Sequence, residues 1–125
     1  MADSKRVLII DDNAAVRLIL SGMLEELGHQ VVGEASDADA ALKAYKDLKP
    51  DLVTLDLSLS ATGGADGTVV LDALRKADGG VRIIVISGNA QAKLREQLAK
   101  AGARGFVAKP IQEAELSTAI AEALK

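Results

Sequence analysis

Two hydrophobic periods alternate along this chain. Short unbroken apolar runs (Val7-Leu8-Ile9-Ile10, Leu52-Val53-Thr54-Leu55, Ile83-Ile84-Val85-Ile86 and Gly105-Phe106-Val107-Ala108) have the length of strands buried on both faces. Between them, apolar residues recur every three or four positions, as on one side of a helix. The pattern predicts a strand over residues 6–10, then a helix with Val16, Leu20, Leu24 and Leu27 on one face, ended by Gly28. A strand over 30–34 follows. Ser36 or Asp37 can cap the next helix, which carries Ala38, Ala41, Leu42 and Tyr45. The third strand covers 51–55, and its helix starts near Asp66 or Gly67 with Val70, Leu71 and Leu74. Asp78-Gly79-Gly80 is a turn signal before a fourth strand over 81–86. A fourth helix over 90–101 stops at Gly102. The fifth strand spans 104–108, and the last helix aligns Leu116, Ile120 and Leu124, with Ala119 and Ala123 beside them.

Five strand–helix units imply right-handed crossovers and a parallel sheet covered by helices on both faces. Strand order does not follow from the pattern. The 125 residues suit one domain, expected to occupy 1–125 with no output domain after the fifth helix. With one Tyr, one Phe and no Trp, the core must be built from Leu, Ile, Val and Ala. A net charge of −3 speaks against a general binder of nucleic acid or anionic membrane. No cysteine is present, which removes thiolate chemistry. The start resembles no signal peptide and no run approaches a membrane span, so a cytoplasmic protein is expected.

The strand ends carry the chemistry. The first apolar run stops at Asp11-Asp12, the third at Asp56, the fourth at Ser87-Gly88 and the fifth at Lys109-Pro110. In a parallel sheet these residues emerge together at the carboxyl edge, where open α/β folds place their sites. Each has a plain structural alternative: Asp12 or Asn13 as a helix cap, Asp56 as a turn residue, Ser87 as the cap of the fourth helix, Lys109 as a solvated charge. Together, three carboxylates, a hydroxyl and an ammonium describe a divalent-cation site beside a phosphoryl acceptor. Adjacent carboxylates suit Mg²⁺, a carboxylate can attack phosphorus, and an ammonium can hold a phosphoryl oxygen.

These residues resemble the receiver domain of two-component response regulators over essentially the whole chain. The likeness rests on Val-Leu-Ile-Ile-Asp-Asp, Asp-Leu-Val-Thr-Leu-Asp, Ile-Val-Ile-Ser-Gly and, most specifically, Lys-Ala-Gly-Ala-Arg-Gly-Phe-Val-Ala-Lys-Pro. It implies a flavodoxin-like doubly wound α/β fold, (βα)5, with strand order 2-1-3-4-5. It also implies Asp56 as phosphoacceptor, with Asp12, Asp56 and the main-chain carbonyl of Ser58 on Mg²⁺, Asp11 acting through water, and Mn²⁺ as a substitute metal. Ser87 resembles the switch hydroxyl, Lys109 the phosphate-binding lysine and Phe106 the switch aromatic. Ser58 and Asn89 fall where side chains tune dephosphorylation. One departure stands out. Leu59-Ser60 replaces the family's usual Met-Pro, and the loop before Asp66-Gly67 is longer. Altered recognition by a kinase or phosphatase is the expectation there.

The resulting expectation is a stand-alone, CheY-like receiver that takes a phosphoryl group from a histidine kinase or phosphotransfer protein. It would signal to a downstream target protein through the fourth helix, fifth strand and fifth helix. Its catalysis would be confined to its own phosphorylation and dephosphorylation. It would act as a monomer or a phosphorylation-dependent dimer, without nucleic acid or membrane. A phosphatase of the haloacid dehalogenase type would place its nucleophile after the first strand and its acidic pair late, the reverse of the order here. A flavin-binding module would need a Gly- or Ser/Thr-rich first turn, which this chain lacks.

Overall fold

The structure, a computed structural model, describes residues 4–57, 67–88 and 92–124. Strands β1 (Arg6–Ile10), β2 (Gln30–Ala35), β3 (Leu52–Asp56), β4 (Ile83–Ser87) and β5 (Gly105–Ala108) form one sheet, ordered β2-β1-β3-β4-β5. All four pairings are parallel. This is the flavodoxin-like doubly wound arrangement that the resemblance implies. The helices are α1 (Ala14–Glu26), α2 (Ala38–Leu48), α3 (Gly67–Ala77), α4 (Ala92–Lys100) and α5 (Glu113–Ala123). Residues 89–91 lie outside the described residues, so an α4 start at Ala90 is neither met nor missed.

Alternation along the strands divides the core in two. Leu8, Ile10, Val53, Leu55, Ile83 and Val85 face α2, α3 and α4. Val7, Ile9, Leu52, Ile84, Ile86 and Val107 face the other way, against α1 and α5. Because β1, β3 and β4 are covered on both sides, their runs are apolar throughout rather than alternating. Thr54 breaks this pattern. It is 1% exposed in the middle of β3, and its hydroxyl has no hydrogen-bond partner.

Local signals explain the helix boundaries. Asn13, not Asp12, caps α1, its side chain accepting from the amides of Ala15 and Val16. Asp37, not Ser36, caps α2 by accepting from Ala40 N at 2.8 Å. Gly28 (φ +91°) follows α1 in the left-handed region, where a side chain would be strained. Leu20, Leu24, Leu116 and Ile120 are buried as their spacing requires, while Val16, Leu27 and Leu124 are half-buried. No described helix is long and apolar enough to cross a membrane.

Candidate functional site

Register, not sequence proximity, assembles the site. Ile10 pairs with Leu55, so the next residues, Asp11 and Asp56, emerge side by side. Asp56 pairs with Ile86, and Ser87 pairs with Ala108, which places Ser87 and Lys109 one step further along the same edge. Each apolar run thus delivers its terminal polar residue to one level of the sheet.

The carboxylates of Asp11, Asp12 and Asp56 each offer an oxygen within 4.8 Å of the others. Asp11 and Asp56 are buried, whereas Asp12 is exposed and opens the cluster to solvent. Because Asn13 caps α1, the Asp12 carboxylate is not committed to that helix end. Asp11 is held firmly: its amide donates to Ala35 O at 3.0 Å, and its Oδ1 accepts from Asn13 N at 2.8 Å. Its Oδ2 has no hydrogen-bond partner, although Lys109 Nζ stands 4.0 Å away. Burial raises the Asp11 pKa above the ordinary carboxylate value, and the negative charges of Asp56 and Asp12 add to this; the Asn13 amide and the Lys109 ammonium oppose it. A buried oxygen without a hydrogen bond, among three close carboxylates, fits a hard divalent cation such as Mg²⁺ or Mn²⁺.

Lys109 reaches over this cluster from the end of β5. Its Nζ donates to Asp56 Oδ1 at 3.2 Å. Lys109 pairs with Asp56 and, at 4.0 Å, with Asp11, one ammonium for a cluster of three carboxyl groups, so negative charge is left that a cation would neutralise. The peptide bond between Lys109 and Pro110 is cis, and Lys109 N donates to Ser87 O at 2.9 Å. Glu115, on α5, accepts from Ala108 N at 2.9 Å and helps fix the strand end.

Ser87 is the last residue of β4 and 5% exposed, and lies at the sheet edge; its candidate role as the cap of α4 turns on residues 89–91, outside the described residues. Phe106 sits apart, in the middle of β5 opposite Val85, half-buried against the α2–α4 side of the core. The guanidinium of Arg95, on α4, lies 4.4 Å from its ring centroid. Ser58, Asn89 and the loop over 58–66 fall outside the described residues.

Two side chains important to this geometry are missed by sequence reasoning. Arg17 donates from Nη1 to Asp11 O and from Nε to Glu34 Oε1 (2.6 and 2.9 Å), tying α1 and β2 to the backbone of the acidic pair. Its only sequence signal is a basic residue one turn into the helix after Asp11-Asp12. Arg95 gives no signal at all, since its contact crosses from helix to strand. A cleft of about 600 Å³ is lined by Tyr45, Lys46, Lys49, Pro50, Ala77 and Asp78, away from the three carboxylates. Chemically, the carboxylate edge can bind a divalent cation and present a carboxylate to a phosphoryl donor.

Comparison with known proteins agrees with this geometry. The response regulator receiver domain profile matches residues 7–121. The chemotaxis protein CheY of Thermotoga maritima is 37% identical over 93% of this chain and 94% of that protein. A LuxR-family two-component response regulator from Aurantimonas superposes with a TM-score of 0.89 at 32% identity, covering 98% of this chain and 86% of that one. CheY in the CheX–CheY–BeF3–Mg complex of Borrelia burgdorferi gives a TM-score of 0.85 at 27% identity, covering 92% of this chain and 85% of that one.

Proposed function

The chain belongs to the response regulator receiver domain family, and from that premise we propose that Asp56 accepts a phosphoryl group from the phosphohistidine of a histidine kinase or phosphotransfer protein. The observation that carries this reading is the Lys109 ammonium 3.2 Å from Asp56 Oδ1, beside a three-carboxylate cluster. A carboxylate oxygen of Asp56 attacks phosphorus as the phosphorus–nitrogen bond breaks. The imidazole leaves with the electron pair and takes up a proton, and Asp56 becomes an acyl phosphate.

Asp12, Asp56 and the Ser58 carbonyl would hold Mg²⁺ directly, with Asp11 acting through water and Mn²⁺ able to substitute. Mg²⁺ bound there supplies charge neutralisation and aligns the phosphoryl oxygens for in-line transfer. Lys109 would exchange its contact with Asp56 for one with a phosphoryl oxygen. Asp11 keeps its shape throughout, because Arg17 and Asn13 fix its backbone and Oδ1. Ser58 and Asn89 tune the approach of water to the acyl phosphate and hence its lifetime.

The new group carries a charge of about −2. Ser87 donates its hydroxyl to one phosphoryl oxygen, and Phe106 moves with the rearranged end of β4. The population then shifts between two states of the α4–β5–α5 surface, which a downstream target protein reads. Phe106 is the chain's one phenylalanine, so a fluorinated phenylalanine gives a single ¹⁹F resonance. Addition of a small phosphodonor with Mg²⁺ is expected to move that resonance in the wild type and leave it unmoved in Asp56→Asn. An equal shift in both proteins would refute the reading.

A further inference from the structure

We propose that Arg17 and Glu34 form a pair of positioning residues for the divalent cation: Arg17 aims the acidic pair, and Glu34 keeps the Arg17 guanidinium from taking the cation's place on Asp12. This rests on the proposed function in that the carboxylate cluster is a Mg²⁺ site. It does not depend on Asp56 accepting a phosphoryl group.

Register brings the two side chains together. Glu34 pairs with Ile9, and Ile9 faces α1 and α5, so Glu34 projects from β2 towards α1. Arg17 lies one turn into α1. Its Nε donates to Glu34 Oε1 at 2.9 Å, and its Nη1 to the main-chain oxygen of Asp11 at 2.6 Å. The Arg17 side chain is only 19% exposed, against 45% for Glu34. The end of the link that meets the acidic pair is therefore the sheltered one, unlike an ordinary surface ion pair, which contributes little.

The oxygen that Arg17 holds belongs to the peptide joining Asp11 to Asp12. Asp11 is also held at its amide by Ala35 O and at its Oδ1 by Asn13 N. Because a peptide unit is planar, fixing its oxygen fixes the direction in which the chain enters Asp12. The Asp12 carboxylate is exposed and outside the α1 cap, so this peptide is what aims it. Groups that orient metal ligands without touching the metal typically change its affinity by about 10–100-fold. Lysine is a poor substitute for Arg17, because the two acceptors use two N–H groups of one planar fork.

Arg17 is also a hazard to the site. A guanidinium at the carbonyl between two aspartates is within a side chain's reach of the Asp12 carboxylate. A charge-assisted pair there would occupy the position of a cation. Glu34 stands on β2, outside the three-carboxylate cluster, and gives the guanidinium a carboxylate of its own. Arg17 thus holds the backbone of the acidic pair while its charge is turned away from the carboxylates.

The test follows backbone amide resonances of the full-length, unphosphorylated protein as Mg²⁺ is added at physiological ionic strength. It compares the wild type with Glu34→Gln, the charge-balanced double variant Arg17→Gln/Glu34→Gln, and Arg17→Lys. The double variant keeps the net charge and should bind Mg²⁺ about tenfold more weakly, because the tie is lost. Glu34→Gln should bind more weakly still, by about thirtyfold or more, because Arg17 is free to pair with Asp12. Removing Arg17 thus restores part of what Glu34→Gln loses, a reversal that a merely structural brace would not give. Arg17→Lys, the mildest change, should also bind about tenfold more weakly. A double variant as tight as the wild type would leave only through-space charge and overturn the proposal. One that binds more weakly than Glu34→Gln, or has lost its folded spectrum, would make the pair a brace and overturn it too, as would full affinity in Arg17→Lys. A wild type that does not bind Mg²⁺ overturns this proposal and the metal site together. Absence of a phosphoryl adduct from a wild type that does bind Mg²⁺ would refute the phosphoacceptor reading alone, and the order of the affinities would still decide this one.

Discussion

At the scale of single residues, uncompensated charge dominates. Two carboxylates within 4.8 Å repel by roughly 3 kcal/mol at an effective dielectric near 20; Lys109 offsets part of this. Asp11→Asn is therefore expected to stabilise the metal-free protein by about 1–2 kcal/mol in urea unfolding, a gain that Mg²⁺ reduces. Because the Asp11 pKa is raised, its native carboxyl binds a proton more readily than the unfolded one. Its contribution thus worsens as pH rises from 3.8, and levels off above the native value. A loss of stability in Asp11→Asn without Mg²⁺ would contradict this. His29 behaves in the opposite sense. Its Nδ1 accepts from Lys5 N at 3.1 Å, and burial, with the Lys5 charge, lowers its pKa below 6.5. Stability is fully present above 6.5 and declines as pH falls from there towards the lowered native value. His29→Gln should flatten that part of the stability–pH curve; an unchanged slope would assign it to other groups. Thr54→Val removes a buried hydroxyl without a partner and is expected to stabilise by about 1 kcal/mol, with phosphoryl uptake unchanged.

At the scale of elements, the strands and helices were legible because β1, β3, β4 and β5 carry short, largely apolar runs and the helices between them keep their spacing; β2, Gln-Val-Val-Gly-Glu-Ala, is the least apolar strand. Strand ends moved by one or two residues, and one of these moves matters. Ser87 closes β4, so pairing with Ala108 fixes it at the sheet edge, a tertiary fact that its adjacency to a helix concealed. Asp12 and Asn13 were equivalent as caps in sequence. Backbone geometry selected Asn13, leaving the Asp12 carboxylate outside that cap. Arg17 and Arg95 were not legible, because what they touch is set by packing between elements. The end of α4 offers a test. Gly102 has φ +109°, and a side chain there would both strain the backbone and displace Arg75. Gly102→Ala is expected to cost about 1–3 kcal/mol, read by thermal unfolding; a loss no larger than that of an exposed surface substitution would mean that Arg75 and the turn adapt freely.

At the scale of the whole molecule, strand order converts four weak motifs into one site. The sequence pattern supplied parallel strands but no order; with β1 beside β3 and β4 beside β5, Asp11, Asp56, Ser87 and Lys109 arrive at one edge. The same sheet carries Phe106 on β5 and, through Arg95, connects it to α4. A cation held by the three carboxylates would bind only the folded chain, so Mg²⁺ at about a hundred times its dissociation constant is expected to add roughly 2.7 kcal/mol of stability. That increment should shrink in Asp12→Asn. The central claim, that Asp56 is a metal-dependent phosphoacceptor, is tested most directly by intact-protein mass after brief incubation with a small phosphodonor, with and without Mg²⁺. A single phosphoryl adduct that requires Mg²⁺ and is absent from Asp56→Asn is the expected result. An adduct of equal yield in Asp56→Asn, or none on folded wild-type protein even with a phosphorylated histidine kinase, would contradict it.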